Sequence, residues 1–566
     1  MDMSALTIYN LPPQSPKFDG VGIFYITFCA VWTVIIVAGM VFCWMNRQLP
    51  ILKVRGLGLS FASVIFLHLY WILSQIVYPV GVTMRVLVAY DIQYFVMGTW
   101  FPLGIALFHA ANLRLLHVAE LQKRFTHPAL IRKGGNNGAN SSWVSRIRSL
   151  KYDTKVLVFI GIGITVQTLL TVCMWLVCRK YHPSFGVRGT EIRGETLPEQ
   201  IRDLYIGWEW WPSVVWQFVW TWGVAPSLIW RAWNIRDTMG WRTQTIGACL
   251  SGLHATPMFL IASYSRAFDK VNAYFPPSQW IQLHTMVLEG FLIFVPAYQV
   301  IKLWQTNRKV IYSNDKWETS SQSTTIRVNG GDKGSTFELV EKDQVLRYAS
   351  NGYNGDRLLT MTALNRVLHE HPEPLQEFSA YNDFSGENIA FLTRVAKWKV
   401  TWSRDLSLDQ EQRADMYNAA LKIYIDFISP RDAEFPLNLA SAQLKDLEAV
   451  FEASARKVCG KARVDPTLPF AFEMPFTFDV PVSRENDDEE AILESRYTGD
   501  ISRQFGINVF DQALNHVKNL VLTNTWPKFV KEIRRRRSID SDRSGMTDSS
   551  AETAVSRVTR FVKSLT

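Results

Sequence analysis

Glu289 is, by type and setting, the residue of this chain least suited to simple packing. It lies inside an apolar run over about 280–303, where a carboxylate is costly and correspondingly rare. His254 falls inside a second such run, and His109 with Asn112 near the end of a third. Groups of this kind meet a ligand or partner, or else pair across a helix bundle. For Glu289 the pair would be with a His or Trp of a neighbouring helix. His254 joins it as a candidate intramembrane polar site. A different set lies in the charged half of the chain. Glu387 and Asn388 put a carboxylate beside an amide just ahead of a helical apolar pattern. Ser385 is placed to cap that helix and Glu387 to favour its positive end. Asn438 follows Pro436-Leu437 in what reads as a turn. Cys29, Cys43, Cys173, Cys178, Cys249 and Cys459 match neither a metal site nor a disulfide framework and read as small buried apolar side chains. No catalytic residue, metal or cofactor is expected.

The elements that must position these groups divide the chain in two. Its 566 residues leave room for two or three domains. Apolar residues crowd the first 305 positions, and so do most of the 21 Trp, as an aromatic belt at a membrane interface predicts. Seven apolar windows are long enough to span a bilayer: about 21–45, 57–78, 90–113, 156–178, 211–233, 243–264 and 280–303. Pro102, Pro212, Pro226, Pro257 and Pro296 lie in them and can kink helices. Residues 1–20 lack the basic start and cleavage site of a signal peptide, so the first span is expected to remain as an anchor.

The net charge of +9 comes from Lys and Arg beside apolar spans and in the tail, which fits an anionic membrane leaflet better than nucleic acid. Basic residues concentrate in the loops after spans 1, 3 and 5. The N-terminus therefore reads as outside and the charged half as cytoplasmic, in a multi-pass plasma-membrane protein. The sequon Asn140-Ser141-Ser142 then faces the cytoplasm and should stay unglycosylated. No interrupted apolar pair repeats between two halves, which argues against a transporter. In topology the arrangement is similar to that of G-protein-coupled receptors, although residues 112–114 read Asn-Leu-Arg rather than acidic-Arg-aromatic.

The remainder reads as a flexible linker over 306–345, a helical domain over 346–540 and a basic tail over 541–566. Thr319, Ser320, Ser321, Ser323, Thr324 and Thr325, then Asn329-Gly330-Gly331, mark the linker. Helical periodicity starts near Leu358 and stops before Pro372 and Pro374. It resumes over about 375–381, again after Ser385, and over about 412–428. A stretch over about 452–505 holds Pro466, Pro469, Pro475 and Pro481 and an acidic run at 485–490, and reads as a loose insertion. The run Arg534 to Arg537 precedes Ser538, a candidate phosphosite whose modification would weaken a polybasic membrane contact.

Four motifs in this half carry a resemblance. Phe384-Ser385-Gly386-Glu387-Asn388-Ile389-Ala390-Phe391 resembles the S-E-E-N-I-x-F-W segment of RGS domains, the regulators of G-protein signalling. Ile423 to Ile428 resembles the IYxxFI helix end, Pro436-Leu437-Asn438-Leu439 the xxVNL loop, and Val509 to Val530 the FDxAQ…DSYxRFL ending. The order is right over roughly 356–535. An RGS domain behind seven membrane spans is similar to the seven-transmembrane RGS proteins of fungi and plants. The expected fold class is thus all-α, a seven-helix transmembrane bundle followed by a cytoplasmic all-helical RGS domain.

The resemblance implies a partner and a mechanism. RGS domains accelerate GTP hydrolysis by a Gα subunit without donating a catalytic group, by holding its switch segments in their transition-state shape. Glu387, Asn388 and Asn438 match the family's Gα contacts, and the resemblance places Asn524, Thr525 and Lys528 at further Gα-binding positions. The last three depart from its Asp-Ser-Tyr-x-Arg. Lys for Arg loses the bidentate fork. The expected function is membrane-tethered GTPase activation of Gα, alongside contact with membrane lipids. The alternative is a receptor for an unknown small-molecule ligand whose RGS domain acts mainly as a Gα scaffold.

Overall fold

The computed structural model describes residues 7–126, 152–182, 184–327, 358–403, 409–433, 435–459 and 496–543. Among them no strand forms, and one isolated bridge joins Cys178 and Val187. The chain is all-helical and divides into two units, residues 1–118 with 135–300, and residues 119–134 with 301–566.

In the first unit the apolar windows become helices α1 (Gly20–Met45), α2 (Leu57–Val80), α3 (Val86–Gln122) and α4 (Tyr152–Val177). Next come α5 (Trp211–Phe218), α6 (Ala225–Trp233), α7 (Trp241–Gly252) and α8 (Ala255–Tyr264). The last, α9 (Ser278–Arg327), passes its residues from 301 onward to the second unit. Among the described residues, six stretches are long and apolar enough to cross a membrane, with α7 and α8 counted together. This is a multi-pass membrane protein. On α1 the side chains of Phe24, Val31, Val34 and Val41 stay exposed, and on α4 those of Phe159, Ile162, Val166 and Leu169 do. Apolar faces of that extent belong against lipid.

The expected window at 211–233 departs from the other six. It is helical throughout but in three pieces, α5, a π-helical turn Val219–Val224, and α6. Pro226 withholds the donor that the carbonyl four residues back requires, and the wider turn takes up the misfit just before it. The break between α7 and α8 at Leu253 and His254 likewise lies three to four residues before Pro257. Pro102 leaves α3 unbroken because neighbours replace its missing donor. The Gly98 carbonyl accepts from the Thr171 hydroxyl at 3.2 Å and from Gln167 Nε2 at 3.4 Å. Gly98 makes this approach feasible, since a Cβ there would lie 2.4 Å from Thr171 Cγ2.

The second unit is built from α10 (Met361–Glu370), α11 (Glu373–Tyr381), α12 (Gly386–Trp402) and α13 (Gln410–Ile423). They are followed by α14 (Ser441–Cys459), α15 (Asp511–Leu520) and α16 (Trp526–Arg543). Asp409 opens α13 with a capping box, accepting from the Gln412 N–H at 2.7 Å. The core is aromatic. Phe510 is fully buried, stacks on Phe451 at 5.6 Å, and meets Phe391 and Trp398 edge-on. Phe510→Ala is expected to cost about 3–5 kcal/mol. Hydrogen exchange of core amides in α12 and α13 of the full chain checks this.

Three expected boundaries move. The linker over 306–345 is helical to Arg327, because no Gly or Pro interrupts the chain before Gly330. The insertion over 452–505 is smaller than expected. Residues 452–459 complete α14, and Tyr497 and Phe505 are buried in the aromatic core. The helix expected over 412–428 ends in a π turn, Tyr424–Ile428. Asn140, the acidic run at 485–490 and the tail beyond Arg543 lie outside the described residues.

Candidate functional site

The loop between α11 and α12 is held from behind by a buried carboxylate. Asp383 is fully buried. Its Oδ2 accepts from the Thr525 hydroxyl at 2.7 Å and the Ser385 hydroxyl at 3.0 Å. Its Oδ1 accepts from Lys528 Nζ at 2.6 Å, and the same ammonium donates to Asn524 Oδ1 at 2.8 Å. Asn524 and Thr525 close a π-helical turn, Val521–Thr525, that carries both side chains into the interior. Next to this anchor Phe384 has φ +48° with its ring buried, the one non-glycine with positive φ among the described residues. A bulky residue in that region is strained and persists only where its surroundings over-determine it.

The expected contacts therefore fall in two layers. Asn524 and Thr525 are buried and, with Lys528, brace the loop from inside. Glu387 and Asn388 are half-buried in the first turn of α12, where Asn388 Nδ2 donates to Glu387 Oε1 at 3.2 Å. Asn438 is also half-buried, and His516 Nε2 lies 3.0 Å from its carbonyl oxygen. Ser385 caps nothing, because its hydroxyl points to Asp383.

Gln122, the last residue of α3, takes the place of that cap. It is fully buried in the second unit. Its Oε1 accepts from the Gly386 N–H at 2.9 Å and its Nε2 donates to Glu387 Oε2 at 3.1 Å. Three residues on, the ring of Phe125 lies 6.0 Å from Phe435 and 6.5 Å from Phe427. The Thr126 hydroxyl bonds Tyr381 Oη at 2.9 Å. Residues 122–126 thus reach from the start of α12 to Phe435, three positions before Asn438. Asp383, Gln122 and Phe125 are not recognisable in the sequence. Gln122 meets its partners across 264 and 265 residues. Near this end of the unit, burial pushes the Asp426 carboxyl upward against the pull of Arg394 and Lys422.

In the first unit Glu289 is fully buried and partnered by both kinds of neighbour that a structural role requires. Trp32 Nε1 donates to Oε2 at 2.9 Å, and His68 Nδ1 lies 3.2 Å from both oxygens. The Thr33 hydroxyl donates to the Cys29 carbonyl at 2.7 Å, so it accepts from His68 Nε2 at 3.1 Å. With that ring N–H directed at Thr33, the Nδ1 edge of His68 is the one that faces the Glu289 carboxyl. Glu289→Ala would leave Trp32 Nε1 and His68 Nδ1 without their shared partner and is expected to cost about 1–3 kcal/mol, with Glu289→Gln costing less. Thermal unfolding of the full chain in detergent measures both. His254 stands at the break before α8 with its Nε2 buried and without a hydrogen-bond partner. A separate cavity of about 830 Å³ is lined by Tyr70, Gln93, Arg202, Trp210, Phe259 and Asn272 among others, and neither Glu289 nor His254 lines it.

Comparison with protein-family models, with curated proteins and with solved structures finds no match to this chain.

Proposed function

We propose that the chain is a seven-spanning plasma-membrane protein whose cytoplasmic second unit is an RGS domain accelerating GTP hydrolysis by a Gα subunit. The segment 211–233 serves as the seventh span, its π turn lying within the bilayer. The basic loops orient the N-terminus outside and leave the second unit in the cytoplasm. There the membrane tether raises its concentration near lipid-anchored Gα.

One observation supports this reading above others. Glu387 and Asn388 stand half-exposed on a helix start whose backbone is fixed from behind by the buried Asp383, Thr525 and Lys528. A surface that works by holding another protein's mobile switches must itself be rigid, and this bracing supplies rigidity. Gα brings its own arginine and water-positioning glutamine, so no catalytic group is needed from the partner. Single-turnover GTP hydrolysis by purified Gα, with and without the full chain, tests the proposal. No acceleration at saturating protein overturns it.

The inward direction of Asn524, Thr525 and Lys528 favours a second reading. If those side chains brace the loop rather than meet Gα, affinity rests on fewer contacts. The domain would then act mainly as a scaffold beneath a ligand-sensing bundle. Gα binding without acceleration distinguishes this outcome.

A further inference from the structure

We propose that residues 122–126 are a built-in competitor for Gα, docked on the surface that Gα would use. This inference rests on the functional reading above. The dock has two ends. At one, the Gln122 amide satisfies both the free N–H of Gly386 and the carboxylate of Glu387. At the other, Phe125 sits against Phe427 and Phe435, beside the Asn438 loop. The segment thus reaches from Glu387 to Phe435, three positions before Asn438, and a Gα switch that contacts Glu387 and the 435–438 loop together would meet it.

The local chemistry makes this a fitted contact. The first N–H groups of a helix need acceptors from outside it. Ser385 is the residue suited to supply one, yet its hydroxyl is committed to Asp383. The vacant capping position is filled by an amide from a distant part of the chain. Gly386 admits it, because a Cβ there would lie 2.9 Å from Gln122 Oε1 and 3.0 Å from Ala380 Cβ. The surface therefore accepts a particular peptide chemistry, an amide that both accepts and donates followed three residues later by an aromatic ring.

Competition has a direct energetic form. A domain whose binding-competent state is only fractionally populated shows an affinity reduced by that fraction. Releasing residues 122–126 should therefore tighten Gα binding.

The test uses the full chain in nanodiscs and a panel of purified Gα subunits, one of each class, loaded with GDP and aluminium fluoride. Gln122→Ala and Phe125→Ala are each expected to tighten binding about 5- to 20-fold. A disulfide between Phe125→Cys and Phe435→Cys is expected to weaken it at least tenfold when oxidised and to restore it on reduction, with each single variant as control. Binding that is unchanged or weaker in Gln122→Ala, together with equal affinity of the oxidised and reduced forms, overturns the competitor and leaves the RGS reading standing. Failure of every form to bind overturns the RGS reading and the competition together. In that case, hydrogen exchange at Gly386 without Gα, expected to rise in Gln122→Ala, still shows whether the dock itself exists.

Discussion

Asn388→Ala is expected to lower the acceleration of Gα GTP hydrolysis by more than tenfold and to leave the second unit folded. A tenfold loss is about 1.4 kcal/mol of transition-state stabilisation. The side chain is half-exposed, and its one intramolecular bond is to the adjacent Glu387. Its backbone N–H bonds the Ser385 carbonyl at 3.2 Å whatever the side chain. Removing the amide therefore strands nothing buried and leaves no cavity, so thermal stability should change by about 0.5 kcal/mol or less. The effect should appear in the rate at saturating domain as well as in affinity, because ordering the switches acts on the transition state rather than on uniform binding. Asn388→Asp keeps the shape but loses the donor and sets a second carboxylate against Glu387, so it should be at least as damaging. Single-turnover hydrolysis across a domain titration, beside the melting profile of each variant, separates the two effects. Wild-type acceleration from a folded Asn388→Ala protein contradicts the assignment.

The parts of this molecule that were legible in the sequence are those set by local pattern. The windows behind α1, α2 and α4 end within a few residues of the observed helices, because length and hydropathy fix a spanning helix without help from its neighbours. The periodicity after Ser385 marks α12 for the same reason. What escaped was decided at long range. The linker expected from its Ser and Thr is helical to Arg327, and in the same unit Asn314 Oδ1 accepts from the Met361 N–H at 2.8 Å. Such a contact has no local signature. Nor could the sequence tell that Asn524, Thr525 and Lys528 turn inward. A π turn adds one residue to the turn and shifts which side chains face the core, and nothing in Val521 to Thr525 announces it. The acid–amide pair was readable only through an ordered set of motifs, and its capping partner Gln122 not at all.

A loss as severe as any in the core is expected at Asp383, which no motif singled out. Its carboxylate is the common acceptor for Ser385, Thr525 and Lys528, and its side chain has no solvent access. Lys528 retains about a fifth of its exposure, so its ammonium cannot fully regain water when its partner is removed. Breaking a buried pair by deleting one member leaves an uncompensated charge, and about 3–5 kcal/mol is the expected loss for Asp383→Ala. That is a large share of the stability of a typical domain. Asp383→Asn keeps the volume and one acceptor and should cost less. Removing the stranded charge as well, in Asp383→Ala with Lys528→Met, should recover part of the loss, whereas Lys528→Met alone should be milder than Asp383→Ala. The functional consequence follows from the geometry. Phe384 holds its positive φ only because Asp383 and Ser385 are fixed on either side of it, so freeing Asp383 lets the loop relax and moves Glu387 and Asn388 off their positions. In the double variant, stability should therefore recover further than Gα activation does. Unfolding midpoints of the full chain and single-turnover hydrolysis, measured on the same preparations, check this. Equal recovery of both would mean that the buried network supports the fold without positioning the surface.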